Sequence, residues 1–587
     1  MRRSAQRKRK AVTVLGASRV LISGAGLFLF TAAPALAQNA ATAFPQASPL
    51  QHITPPAPPL PSGSVPSLPA PGQEQAVPNV AIPVRNVTII GATAFPEATL
   101  NAMTAGLANS SQPLPKLEAA RRALLDLYRG QGYVLTTVSL EIDPSGNVNF
   151  VVTEGRIVAV KLSQNIGPAG DMVLRFLNHL TEETPIREAT LEHWLLLAQQ
   201  IPGISLHAVL QAEGDDPGAL TVVAEVSKQN VSGLLTADNR AFVGAGPAEG
   251  LLVGDLNSLT SLGDQTEISL YHTSGNTDNF GQIAESFFIG DRGLRLKLYG
   301  GSGRAQPTGT LAQIGYRSQL TVFGAVLTYP LVLRRSQALT LTARFDAVQN
   351  VIDSEGALTS NDSLRILRAG ESYAWQDLWA GAARDGLNLT QLQFSKGLLG
   401  LGASGDGRTD PPAGRFNERV DFWKISGSVS RTQTLFSPLP ASDVALRLQA
   451  GGQYTTDILP SEEQFYLGGS QYDRGYYSGE VAGDKAAYAT AELQFNTGYD
   501  FNLFKQDLEL GAQFYSFYDW GETWQNAFVD PGFRIASFGG GMRLGLTRNL
   551  EFDGEVTRRL VTQLQPVSSG VPPLNDVGLY WGVTAHF

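Results

Sequence analysis

From Val231 to the last residue, Phe587, apolar and polar side chains alternate in short runs between Gly, Asp, Asn and Ser turns. Leu294, Leu296 and Leu298 alternate with Arg295, Lys297 and Tyr299. Leu339, Leu341, Ala343, Phe345 and Ala347 alternate with Thr340, Thr342, Arg344 and Asp346. The runs Val444–Ala450 and Leu550–Thr557 repeat the pattern. A period of two is that of strands with chemically different faces. Two architectures satisfy it. A soluble sandwich or solenoid turns the apolar face inward, whereas a membrane barrel turns it outward and lines its lumen with polar groups. Periodicity alone does not choose between them.

Three further features favour the barrel. The block runs without a domain break, and roughly 22 residues per strand plus loop, in strands of about ten residues, give about 16 strands. The chain begins with an export signal, residues 1–37: the basic run MRRSAQRKRK, an apolar stretch from Val20 to Phe30, then Ala35-Leu36-Ala37 as a cleavage site. In the final strand Val577, Leu579, Trp581, Val583, Ala585 and Phe587 alternate with Gly578, Tyr580, Gly582, Thr584 and His586. An aromatic last residue on such a strand resembles the recognition signal of bacterial outer-membrane barrels, which assigns Trp581 and Phe587 to targeting.

Composition removes other classes. There is no cysteine, so disulfides, thiolate metal sites and cysteine nucleophiles are excluded. The six histidines show no HExxH-type spacing. The net charge is −9, and the export signal carries seven Lys or Arg and no acid, so its removal makes the chain still more acidic. Such a protein repels nucleic acid. No GxxxxGK[ST] loop is present; GASGDG and GESYA are not GxSxG elbows, and GAGPAEG lacks the strand–helix setting of GxGxxG. No enzyme activity, metal or cofactor is expected.

Between signal and barrel, residues 38–83 are proline-dominated and read as an extended linker. Residues 84–156 read as a small α+β module: a strand over Arg85–Ile90, a helix with Leu117, Ala120, Leu124, Leu127 and Tyr128 on one face, then strands Val134–Ile142 and Asn147–Thr153. Residues 157–228 repeat that order, with a strand over Val158–Leu162, helices over Met172–Leu180 and Leu191–Gln199, and a hairpin of Ser205–Gln211 and Ala219–Val226.

One loop stands out. LGGSQYDRGYYSGE, Leu467 to Glu480, lies in a loop of about 20 residues between Pro460–Glu463 and a strand over Ala486–Phe495. Its four glycines permit a path back into a lumen; a porin's surface loop with an incidental arginine is the alternative. In Asp507–Asp519 the even positions Leu508, Leu510, Ala512, Phe514 and Tyr518 are the apolar set, so Asp519 points into the lumen with Glu509, Gln513, Tyr515 and Phe517. An inward Arg474 supplies it with a bidentate partner.

Taken together, the export signal, the proline-rich linker, two modules resembling POTRA domains and the barrel resemble the hemolysin activation/secretion proteins. These are outer-membrane transporters of two-partner secretion systems, within the outer-membrane assembly superfamily. LYRGQGYVLTTVSL (Leu127–Leu140) with GNVNFVVTEGRI (Gly146–Ile157) is similar to the end of a first POTRA domain. DNRAFVGAG (Asp238–Gly246) resembles the approach to the first barrel strand, with Ala241 in place of the usual glycine. LGGSQYDRGY resembles the family's VRGY or LRGY loop, with Asp473 at an ordinarily apolar position, and FYDWG (Phe517–Gly521) resembles the motif of its acidic partner.

The resemblance implies a transmembrane antiparallel β-barrel of about 16 strands, preceded by two POTRA-like domains, in the bacterial outer membrane with those domains in the periplasm. It implies a loop lock made by Arg474, Gly475 and Tyr476 with Asp519 and Gly521, beside which Asp473 is a competitor. The implied partners are a secreted adhesin- or cytolysin-like polypeptide, outer-membrane lipids and, during biogenesis, the barrel assembly machinery and periplasmic chaperones. An outer-membrane assembly or insertion factor and a passive porin are the competing readings.

Overall fold

The computed structural model describes residues 60, 78–246, 248–503, 506–528, 530–547, 549–564 and 573–587. The expected signal at 1–37 and most of the linker at 38–83 lie outside the described residues.

The first module begins inside the expected linker, with β1 (Ala81–Val84) paired antiparallel to β3 (Ser110–Pro113). Strand β2 (Asn86–Ile90) runs parallel to β5 (Asn147–Thr153), which also pairs antiparallel with β4 (Thr137–Ile142). Helix α2 (Leu114–Gly130) opens on a proline near its N-terminus and buries Leu117, Ala120, Leu124 and Tyr128 against Val148, Phe150 and Val152 of β5. Each such fully buried side chain contributes about 1.5–3 kcal/mol. The chain leaves the helix through Gly132, at φ +86. Helix α1 (Glu97–Thr104), β1 and β3 were not expected. The strands have four residues each, and α1 buries only Leu100 and Thr104, so none carries a readable period.

The second module has the same order. Strand β6 (Arg156–Leu162) runs parallel to β8 (Ala219–Lys228), which pairs antiparallel with β7 (Ile204–Ala212). Helices α3 (Ala169–Asn178) and α4 (Glu188–Gln199) cover the sheet, and Phe288 and Leu333 from the barrel complete their core. Phe176 meets Phe288 edge to face at 5.2 Å, and Arg335 Nε donates to Glu192 Oε1 at 2.7 Å. This module is therefore packed on one end of the barrel.

Sixteen strands close the barrel, each antiparallel to its neighbours in sequence. They are β9 (Val231–Asp238), β10 (Glu249–Asn257), β11 (Gln265–Thr273), β12 (Asp278–Ile289), β13 (Leu294–Ala305), β14 (Arg317–Arg334), β15 (Gln337–Ser354) and β16 (Ala357–Asp377). After them come β17 (Gly386–Gly397), β18 (Trp423–Phe436) and β19 (Ser442–Tyr454). Beyond an intervening loop run β22 (Lys485–Leu503), β23 (Gln506–Trp524), β24 (Phe533–Thr547), β25 (Leu550–Arg559) and β26 (Val577–His586), the last pairing with β9. The wall is inverted relative to a soluble protein. Leu270, Ile283, Phe323, Phe514, Tyr518 and Leu579 are exposed outside, while Asp346, Glu492, Asp519 and Glu555 are buried inside. That inversion decides for the membrane barrel over the sandwich. No helix among the described residues is long and apolar enough to cross a membrane.

Two expectations are corrected. Strands reach 21 residues in β16 and 19 in β22 and β23, well beyond ten; in β16 residues 359–363 are polar on both faces, so the alternation fades there, while β22 and β23 run on past Phe495 and Asp519. DNRAFVGAG leaves the first barrel strand, since Asp238 is its last residue. At this seam β26 pairs with β9 only from Gly582↔Asp238 to His586↔Leu234. Asn239 extends the ladder, donating to Leu579 O at 2.9 Å and accepting from Trp581 N–H at 2.8 Å. Phe587 pairs backbone to backbone with Gly233, where a Cβ would collide with the Phe587 ring.

Candidate functional site

The chain between β19 and β22 turns into the lumen. It is longer than expected, running from Thr455 to Asp484. It contains a 3₁₀ turn (Ser461–Glu463) and the small antiparallel pair β20 (Phe465–Leu467) and β21 (Val481–Gly483). Strands of three residues are too short to show alternation. Arg415 draws the two ends of the loop together: its NH1 donates to Leu459 O and to Asp484 Oδ1, both at 2.6 Å.

At the tip, Gly468 and Gly469 take φ of +106 and +88, a region that favours glycine. The following residues place Arg474, buried, against the inner face of β22 and β23. Its Nε donates to Asp519 Oδ2 at 2.9 Å and its NH2 to Asp519 Oδ1 at 3.0 Å, and its own backbone N–H donates to Oδ2 at 2.9 Å. The third guanidinium nitrogen donates to Glu492 Oε2. The Phe517 ring centroid lies 3.7 Å from the guanidinium carbon, a cation–π contact between two buried side chains. The structure thus brings together Arg474 and Asp519, the residue that the parity of 507–519 turns into the lumen.

Gly475 is there because nothing larger fits. A Cβ would press on Ser537 Cβ and lie 2.6 Å from Ser537 Oγ, the same hydroxyl that accepts from Gly475 N–H at 3.1 Å. The Gly475 carbonyl accepts from Arg559 Nε at 2.6 Å and from Tyr580 OH at 2.8 Å. Tyr476 is fully buried beside Leu467, Val481, Tyr488 and Ile535, with its hydroxyl 3.0 Å from Ala536 O and 2.8 Å from Val561 O. Gly521 sits in the wall opposite Leu467, whose Cδ1 would be 2.8 Å from an added Cβ. Asp473 does not compete for Arg474. At φ +60 its carboxylate turns to β24 and accepts from Ser537 Oγ at 2.7 Å.

Five side chains at the tip were not anticipated: Glu492, Arg240, Ser537, Arg559 and Tyr580. Glu492 lies between outward Leu493 and Ala491, so the parity argument applied to 486–495 would have found it. Arg240 donates from NH1 to Arg474 O at 2.9 Å and from NH2 to Glu555 Oε1 at 2.9 Å, which gives the DNRAF stretch a role through its arginine. Trp581 and Phe587 lie apart from this site, on the outer face at the seam.

Removing one member of a buried ion pair leaves an uncompensated charge, at about 3–5 kcal/mol. The charge-assisted hydrogen bonds thus set the Arg474 side chain against β22 and β23 in one geometry. A cavity of about 590 Å³ adjoins it, lined among others by Arg240, Arg474, Tyr515, Arg543 and Glu555.

Residues 221–544 match the family model described as haemolysin secretion/activation protein ShlB/FhaC/HecB, and residues 82–155 match that of the ShlB-type POTRA domain. Among solved structures the chain is similar to CdiB from Escherichia coli, with TM-score 0.66 at 18% identity over 88% of this chain and 93% of that one. It is also similar to CdiB from Acinetobacter baumannii, with TM-score 0.59 at 14% identity over 96% and 100%. At these identities the likeness is one of fold. No curated protein sequence matches.

Proposed function

Since the chain belongs to the haemolysin secretion/activation protein family, outer-membrane transporters of two-partner secretion with periplasmic POTRA domains, we propose that it captures an unfolded partner polypeptide and passes it through its barrel. Capture falls to the modules at 84–156 and 157–228. Their three-stranded sheets end on β2 and β4 and on β6 and β7, where an extended chain adds as a strand through main-chain hydrogen bonds. The lumen loop then withdraws, and Arg474, Gly475 and Tyr476 with Asp519 and Gly521 form the lock that withdrawal must open. Folding of the partner outside supplies the driving force, since the sequence carries no nucleotide-binding loop.

The observation that carries this reading is the Arg474 fork on Asp519 and Glu492 inside a barrel of transport size. Arg474→Ala is expected to abolish most secretion while the barrel reaches the membrane at normal levels; unchanged secretion sinks the lock. Partial recovery in Arg474→Asp/Asp519→Arg identifies the specific pair. The protein missing from the culture medium of a deletion strain is the partner. General loss of other barrel proteins on depletion would instead mark an assembly factor.

A further inference from the structure

The lumen loop meets the wall a second time, far from Arg474. Glu463, in the 3₁₀ turn, is buried. Its Oε1 accepts from Arg368 NH2 at 2.6 Å and its Oε2 from Arg368 NH1 at 2.9 Å, a two-pronged fork. Lys424 Nζ lies 2.9 Å from the same Oε2 and donates to the Glu463 carbonyl at 2.7 Å. Gln453 Nε2 donates to that carbonyl as well, at 3.2 Å. Arg368 is held in turn by Asp346, which accepts from its Nε at 2.9 Å.

These groups stand on β15, β16 and β18, with Gln453 on β19. The Arg474–Tyr476 segment is held by β22 to β26 and by Arg240 just after β9. In the closed strand order β16, which carries Arg368, lies four strands from β22 and five from β23, which carry the carboxylates on Arg474. The loop is therefore fastened to the wall at two separate places, its base by Glu463 and its tip by Arg474. The two clamps share no residue, so opening one does not open the other.

We propose that Glu463 is a second positioning residue, and that the lumen clears only when the Glu463 clamp and the Arg474 clamp are both released. This rests on the reading that the loop withdraws during transport. Glu463→Gln keeps the shape, removes the charge and sets an amide donor against Arg368. Arg368 retains Asp346, which favours assembly of the variant barrel.

The absence of cysteine makes single reporters clean. Ser461→Cys reports the base and Ser478→Cys the tip, each read as the rate of modification by a membrane-impermeant maleimide on the full chain in outer membranes. Glu463→Gln is expected to speed reaction at the Ser461 reporter about tenfold and leave the Ser478 reporter unchanged, and Arg474→Ala to do the converse, as distant sites act independently. In planar bilayers the double variant is expected to show sustained large openings that neither single variant shows. The proposal is overturned if Glu463→Gln leaves the base reporter unmoved, or if Arg474→Ala alone opens the pore as fully as the double. Should Glu463→Gln not assemble, Lys424→Met spares the Arg368 fork and must still speed the base reporter, though less. If Arg474→Ala frees the tip without lowering secretion, the transport reading fails and the two clamps stand. If secretion falls but the base reporter does not respond to Glu463→Gln, the second clamp alone fails.

Discussion

The contact at Gly475 permits a test of the lock that leaves every charge in place. In Gly475→Ala the new methyl would press on Ser537 Cβ and lie 2.6 Å from its Oγ, closer than real side-chain carbons come. Gly475 does not take a positive φ, so the backbone tolerates alanine and the whole cost is overlap. Overpacking of this kind costs typically 1–3 kcal/mol. Taken as about 2 kcal/mol, that is roughly thirtyfold in the equilibrium between docked and undocked tip. The Ser478→Cys reporter should react faster by about that factor, with Arg474, Asp519 and Glu492 untouched. Ser537→Gly deletes both offending atoms, at the cost of the hydrogen bonds to Asp473 and Gly475, each about 0.5–1.5 kcal/mol. Alone it should loosen the tip; combined with Gly475→Ala it should loosen it less than the two effects added. A rate unchanged by Gly475→Ala, or strictly additive effects in the pair, would refute the claim that close approach to β24 holds the loop.

Two other predictions concern the periplasmic half. The Glu154 carboxylate accepts from Thr93 N–H at 2.7 Å, Ala94 N–H at 2.9 Å and Tyr128 OH at 2.6 Å. Burial is the largest influence and opposes ionisation, but the hydrogen bonds together hold the carboxyl below its ordinary range. A depressed folded pKa stabilises above the ordinary carboxylate range and is lost as pH falls through the folded value. The protection factors of the Thr93 and Ala94 amides, the intrinsic exchange rate at each pH divided by the observed one, should therefore fall on acidification, and Glu154→Gln should remove that dependence. Phe288→Ala opens a cavity between the second module and the barrel at about 3–5 kcal/mol. The module should become more sensitive to protease while the barrel keeps its heat-modifiable mobility on gels; equal sensitivity would show that the joint does not depend on this ring.

The barrel and its strand number were legible because alternation is a property of each strand alone, repeated along the chain. Strand length was not: near its start β16 has a run, residues 359–363, that is polar on both faces, and an alternating run does not by itself show where β22 and β23 stop. Asp519 was legible for Arg474 because one parity run and one loop arginine sufficed. Ser537 and Arg559 were not, because cross-strand register, Asp519 opposite Ser537 and Ser537 opposite Arg559, is not written in either strand alone, and Arg240, just after β9, becomes a neighbour only when the sheet closes. Glu463 was taken as flanking sequence, since a carboxylate in a short polar turn carries no sign of the β16 and β18 cations that meet it. The first module's β1, β3 and α1 were too short or too polar to announce themselves.

The seam between β9 and β26 has a consequence for how the barrel is made. It joins the first strand of the sheet to the last, so its pairing has the highest sequence separation in the molecule and is reached only after every other strand exists. Contacts of that kind are slow to form, because chain closure precedes any reward. The lumen loop shortens this search. Arg240 from the first end and Tyr580 and Arg559 from the last all bind the carbonyls of Arg474 and Gly475. A loop already docked on β22 and β23 presents the two ends with adjacent acceptors, the Arg474 carbonyl for the first and the Gly475 carbonyl for the last. The segment that occupies the lumen thus also bridges the two ends of the sheet, so loss of the tip contacts should slow ring closure in pulse-labelled cells while the steady-state level of finished barrel stays normal.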